Sequence, residues 1–212
     1  MRDKLYITVG ELAEHLNCPT IGDKNKKIFN IALYQDSNDD SLTYVPYNKI
    51  NVINDIKAGA IITRASIGLP LHKSYIVTRH DPHEVLADTI DFMIENGLYC
   101  TENHNKPIIS DSAIIADNVF IRNGTVIGNN TILSNGVVIG ENVTIGNNCF
   151  IGVNTVIGDN CIIGDNSSVG ACCSIGTENF EYHKFQDGWK KIPEIGNVRI
   201  GDNVIIGGNV VV

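Results

Sequence analysis

From Ile109 an aliphatic side chain returns every six positions, at Ile115, Ile121, Ile127, Leu133, Ile139, Ile145, Ile151, Ile157, Ile163, Val169 and Ile175. A six-residue unit cannot bury a face by itself, so such units must stack on one another as a solenoid of short parallel strands. Gly follows the aliphatic residue at 128, 140, 146, 152, 158, 164, 170 and 176, and two positions before it stands a small or branched residue such as Thr125, Val137, Cys149 or Ser167. Three positions after it comes Asn118, Asn130, Asn142, Asn148, Asn154, Asn160 or Asn166, with Gly124 and Gly136 in the same slot. Asn and Gly accept a left-handed backbone. Each unit therefore reads as a short strand and a sharp corner, and three units to a coil put Ile109 under Ile127, Ile145 and Ile163. The pattern does not reveal the hand of the coil.

Composition changes at Pro107. Residues 108–176 hold no Lys, no Pro, one Arg (Arg122) and two aromatics (Phe120, Phe150). Residues 1–107 carry ordinary mixed patterning and read as a small α/β domain. Thr8 and Glu11 form a capping box at the start of a helix running through Leu16. Residues 59–62 and 75–77 have strand character, and Asp81, Pro82 and Glu84 open a helix that Gly97 ends. Residues 108–212 are the β-helix domain, with an excursion loop at 177–194, where the register stops before resuming at Ile200-Gly201 and Ile206-Gly207. Loops thrown out of a rigid scaffold often carry function. This one holds the only Trp (Trp189), Phe180, Tyr182, Phe185 and His183. The chain stops at Val212 inside a repeat, without a capping unit. The expectation is a fragment, or an end covered by something else.

A formal charge of -8 disfavours nucleic acid and anionic membrane as partners. No apolar run reaches the roughly 20 residues of a bilayer span, and the N-terminus lacks the apolar core of a signal peptide. The expected location is cytoplasmic. The six cysteines, with no Cys-x-x-Cys among them, read as reduced packing residues, and no metal site is expected.

The repeats resemble the hexapeptide-repeat acyltransferase superfamily, which implies a left-handed coil. The order of elements, together with Ile175-Gly-Thr-Glu-Asn-Phe180 and Lys191-Ile-Pro-Glu-Ile-Gly196 in the interruption, resembles the UDP-3-O-acyl-glucosamine N-acyltransferases of lipid A biosynthesis. That resemblance runs from about residue 5 to 212. It implies a homotrimer that moves a 3-hydroxyacyl group from acyl carrier protein to the amine of a UDP-linked glucosamine derivative, with no other cofactor. It also implies a His general base, in coils beyond the point matching Val212, so no catalytic residue is assigned in this chain. His183 does not align with that base. By the same resemblance the sugar nucleotide would meet Tyr44, Tyr47 and Asn48. Tyr44 fits the first of the family's two uracil-stacking aromatics, while Tyr47 stands where the family has Asn and Ile50 where it has the second. Phe180 and Tyr182 would line the acyl or pantetheine groove. Lys184, Lys190, Lys191 and Arg199 form a basic cluster suited to an acidic carrier protein. Two other readings stay open: a non-catalytic trimeric β-helix that binds a sugar nucleotide or a partner, and an acetyl-CoA-dependent sugar acetyltransferase. The lack of His in the repeats argues against a zinc-dependent relative.

Overall fold

In the computed structural model the described residues are 6–45, 47–64, 68–80, 82–99, 104–178, 180–185 and 188–212, with their side chains except those of residues 47, 48, 50, 82, 83 and 185. The chain divides into two compact units: Met1–Cys100 with Phe180–Pro193, and Thr101–Asn179 with Glu194–Val212.

The first unit opens with β1 (Ile7–Thr8) and α1 (Val9–His15). The expected capping box is in place: the Glu11 N–H donates to Thr8 Oγ1 at 3.3 Å, and Thr8 N–H donates to Glu11 Oε2 at 2.8 Å. Then come β2 (Thr20–Ile21), β3 (Lys27–Ile28), β4 (Asn30–Ile31), β5 (Ser41–Tyr44), β6 (Ala60–Thr63), β7 (Ser74–Val77) and α2 (Pro82–Glu95). Strands β4, β5, β6 and β7 lie parallel in that order, β2 joins β7 antiparallel, and β1 pairs with β3. Both faces of this sheet are covered, as apolar runs with little alternation require. Ala60, Ile62 and Ile76 face one core with Leu12 and Met93, while Ile61 and Tyr75 face the other with Val45, Ile53 and Ile56. The Asp81 N-cap lies outside the described residues.

Tyr75 is fully buried and donates its hydroxyl to the Pro70 carbonyl at 2.9 Å. Burial pushes its pKa up to about 12. An unfolded phenol titrates near about 10. The folded state therefore favours the neutral form, a contribution complete below about pH 10 and lost as pH climbs through the folded value, on the order of 2 kcal/mol. We expect urea unfolding to show this loss between about pH 9 and about pH 12, and Tyr75→Phe to remove that part of the pH dependence. An unchanged alkaline slope in the variant would contradict the assignment.

The second unit is the expected left-handed parallel β-helix. Two-residue strands stack in three faces at a spacing of 18 residues. The first face runs Ile108–Ile109, Val126–Ile127, Thr144–Ile145, Ile162–Ile163 and Arg199–Ile200, and Ile109, Ile127, Ile145 and Ile163 stand in one register. Ile115, Leu133, Ile151, Val169 and Ile206 form the second row, and Ile121, Ile139, Ile157 and Ile175 the third. From Ile121 onward these rows, with Val137, Val143, Cys149, Cys161 and Cys173, fill the interior, while Ile109 and Ile115 of the first coil are exposed. The three cysteines precede strands of three different faces, so none stacks on another.

The corners hold the left-handed residues. Asn118, Asn130, Asn142, Asn148, Asn154, Asn160 and Asn166 have φ between 54° and 59°. Cys172 occupies the same slot at φ 56°, a thiol where the other units put Asn or Gly. Side-chain amides join successive coils at these corners, as from Asn130 to Asn148 at 3.2 Å and from Asn148 to Asn166 at 3.3 Å. A second ladder runs beside it. Asn147 Oδ1 accepts the Asn129 N–H, Asp165 Oδ1 the Asn147 N–H, and Asp202 Oδ1 the Asp165 N–H, all within 2.7–2.8 Å. Backbone groups that a sharp turn leaves orphaned are thus satisfied by the coil above.

The Gly that follows each aliphatic residue has a different cause. A Cβ built on Gly152 would stand 2.6 Å from both the Ala171 nitrogen and the Gly170 carbonyl carbon. Main chain of the next coil fills that space, so the requirement is close approach and not left-handed φ.

Candidate functional site

The interruption of the repeats is a two-stranded hairpin. Residues Tyr182–Phe185 pair antiparallel with Gly188–Lys191, in the register Tyr182 to Lys191, His183 to Lys190 and Lys184 to Trp189. Side chains alternate across a strand, so Tyr182, Lys184, Trp189 and Lys191 share one side, and His183 and Lys190 the other.

The Lys190 side is anchored. Its ammonium donates to Asp88 and lies 3.4 Å from Asp91 Oδ2, two carboxylates three residues apart on α2. Burial acts to lower the Lys190 pKa, but hydrogen bonds and charge from Asp88 and Asp91 outweigh it, and the value lies above the ordinary lysine range. The ion pair sits below the unfolded pKa at neutral pH, so this contact persists until strongly alkaline conditions. Ile192, only 5% exposed, adds an apolar anchor, and its N–H donates to the Glu181 carbonyl at 3.0 Å. His183 Nε2 stands 3.8 Å from Glu181 Oε1.

The opposite side faces solvent. Phe180 tilts onto Tyr182 with ring centroids 4.6 Å apart, and the two are 87% and 39% exposed. Trp189 is 68% exposed, with the exposed Lys184 opposite it. Single exposed apolar residues are ordinary, but three aromatics on one small hairpin make a contact surface. Aromatic rings beside an ammonium suit a ligand with an apolar part and a negative charge.

Of the basic residues grouped by sequence, Lys190 is held by the acids of α2, and Arg199 stands on a β-helix strand of the second unit. Lys184 and Lys191 remain on the aromatic side. No local signal announces the Lys190 contact, since its partner Asp88 is 102 residues away.

Tyr44 ends β5, half-buried and packed against the core that holds Leu12 and Ile76. Tyr47 begins a 3₁₀ stretch, Tyr47–Val52, and the side chains of Tyr47 and Asn48 lie outside the description. Among the described residues no group of three or more His, Cys, Asp and Glu is placed to hold a metal ion.

Residues 142–177 match the bacterial transferase hexapeptide (six repeats) family. The match falls within the stacked coils of the second unit. No curated protein matches the chain. Among solved structures it is similar to serine acetyltransferase from Neisseria gonorrhoeae in complex with serine, at 18% identity and a TM-score of 0.36, over 58% of this chain and 45% of that one. Perosamine N-acetyltransferase from Caulobacter crescentus, in complex with CoA and GDP-perosamine, is similar at 17% identity and a TM-score of 0.35, over 81% of this chain and 87% of that one. An Arabidopsis UDP-N-acetylglucosamine acyltransferase is similar at 17% identity and a TM-score of 0.24, over 52% and 48% of the two chains. The chain thus spans less than half the length of the first and third of these proteins. No described helix is long and apolar enough to cross a membrane.

Proposed function

We propose that the protein is an N-acyltransferase that joins a 3-hydroxyacyl group from acyl carrier protein to the amine of a UDP-linked glucosamine derivative, acting as a cytoplasmic homotrimer. The observation that carries this reading is the interruption of a hexapeptide β-helix by an anchored hairpin with an outward aromatic and cationic side. The amine nitrogen attacks the thioester carbonyl, the C–N bond forms, the C–S bond breaks, and the proton lost by nitrogen is balanced by protonation of the released thiol. Trp189, Phe180 and Tyr182 offer apolar contact to the acyl-bearing arm, and Lys184 offers charge to an acidic carrier. The general base has no assigned residue. Tyr44 is the described member of the nucleotide-contacting set.

The test is mass spectrometry of the sugar product after incubation of the protein with a UDP-3-O-acyl-glucosamine and either a 3-hydroxyacyl carrier protein or acetyl-CoA. An acyl product from the carrier supports the proposal. An acetyl product from acetyl-CoA alone replaces it with the acetyltransferase reading.

A binding module is the second reading, favoured by the absence of His from residues 108–176 and 194–212. It predicts sugar-nucleotide binding without transfer from either donor.

A further inference from the structure

A strand alternates its side chains, so holding one residue of a hairpin strand inward sends both of its neighbours outward. Lys190 is the residue held. Its ammonium reaches Asp88 and Asp91, and its neighbours Trp189 and Lys191 are thereby turned to the open side with Tyr182 and Lys184. The acids themselves have a fixed base. Asp88 and Asp91 stand on α2, which Val85 and Met93 pin to the core shared with Leu12 and Ile76. Hairpin and helix belong to the same compact unit.

Two aspartates three residues apart on one helix face repel each other, at a small cost to the helix. The sequence of α2 holds no Lys or Arg to offset this, and Lys190 of the hairpin is the cation the two acids share. Ile192, buried just beyond the same strand, ties the hairpin down as well. An apolar contact at one point leaves a strand free to roll about it, and the ion pairs two residues earlier remove that freedom. The Lys190, Asp88 and Asp91 side chains are 39%, 50% and 47% exposed. Ion pairs this open add little to global stability, so their effect is on local order.

We propose that Asp88 and Asp91 are positioning residues, which hold the hairpin through Lys190 in the orientation that presents Trp189, Phe180, Tyr182 and Lys184 to an incoming acyl-bearing partner. The proposal rests on the acyltransferase reading for the identity of that partner, and on the ion pairs alone for the orientation. Neither acid touches the reacting atoms. Their effect is on the fraction of molecules whose hairpin is ready to bind, and apparent affinity falls in proportion to that fraction.

Trp189 is the only Trp of the chain, so its fluorescence anisotropy reads the hairpin directly. The variants are Asp88→Asn combined with Asp91→Asn, Lys190→Met, and Lys190→Arg, which keeps the charge. Anisotropy is expected to fall in the first two and to stay at the parent level in the third. In steady-state transfer from a 3-hydroxyacyl carrier protein to a UDP-3-O-acyl-glucosamine, the first two are expected to raise KM for the carrier about tenfold and to change kcat by less than about twofold. Melting temperature should stay within about 3 °C of the parent. Parent anisotropy in both charge-removed variants, or a parent KM despite a loosened hairpin, overturns the proposal and leaves the acyltransferase reading standing. A fall in kcat and melting temperature together makes the contact a merely structural one and also overturns it. If the parent protein itself transfers no acyl group from the carrier, the acyltransferase reading falls, and orientation by the acid pair stands or falls on the anisotropy alone.

Discussion

Adding one methyl group at Gly152 is expected to destabilise the β-helix more than removing one from Ile151. Gly152→Ala puts a carbon 2.6 Å from main-chain atoms of Ala171 and Gly170, which cannot turn aside as a side chain does. Relief requires two coils to separate, and the Gly152 N–H bond to the Val169 carbonyl, 2.8 Å long, lies directly in that path. The cost is about 3 kcal/mol, at the upper end for overpacking because backbone and not side chain must move. Ile151→Val, which shortens a fully buried side chain, costs about 1 kcal/mol. Chemical denaturation of the two variants checks the order. Equal or reversed losses would mean that the coils are more loosely stacked than the ladder implies.

The trimeric reading gives the second large effect. Outward side chains of the second face form a row of Ile114, Ile132 and Phe150, 60%, 37% and 43% exposed in the single chain. On the trimeric reading, this row is the surface through which the copies meet. Ile132→Glu combined with Phe150→Glu is expected to reduce the mass seen by light scattering from about three times the 23.1 kDa chain to a single chain. The fold should persist, because both side chains point away from the interior row of Leu133 and Ile151. A parent protein that already runs as a single chain, or a double variant that stays trimeric, removes this face from the interface.

Much of the β-helix is legible because its rule is local and repeated. The six-residue period gives the strands, the coil size follows from stacking like on like, and the Asn slot states a backbone angle directly. Thr8 and Glu11 are readable for the same reason, since a capping box is complete within four residues. Where one residue breaks the pattern the reading loses it: Cys172 takes a left-handed corner that its side chain does not advertise. The glycines at 152 and its equivalents are visible as a pattern, but their cause is a coil that lies 18 residues further along. The hairpin is harder still. Lys184, Lys190, Lys191 and Arg199 look like one cluster in sequence, yet Lys190 answers Asp88 and Asp91, which no short window contains.

The first face of the β-helix continues across the hairpin without a fault. Ile163 pairs with Ile200, 37 residues on, in the register that elsewhere joins residues 18 apart. The chain leaves the ladder after Ile175 and rejoins it at Arg199, so length and sequence between those two points are free of the repeat's arithmetic. Selection can lengthen, recharge or replace that stretch as a cassette while every hydrogen bond of the rungs below is kept, and a change of substrate need not be a change of scaffold.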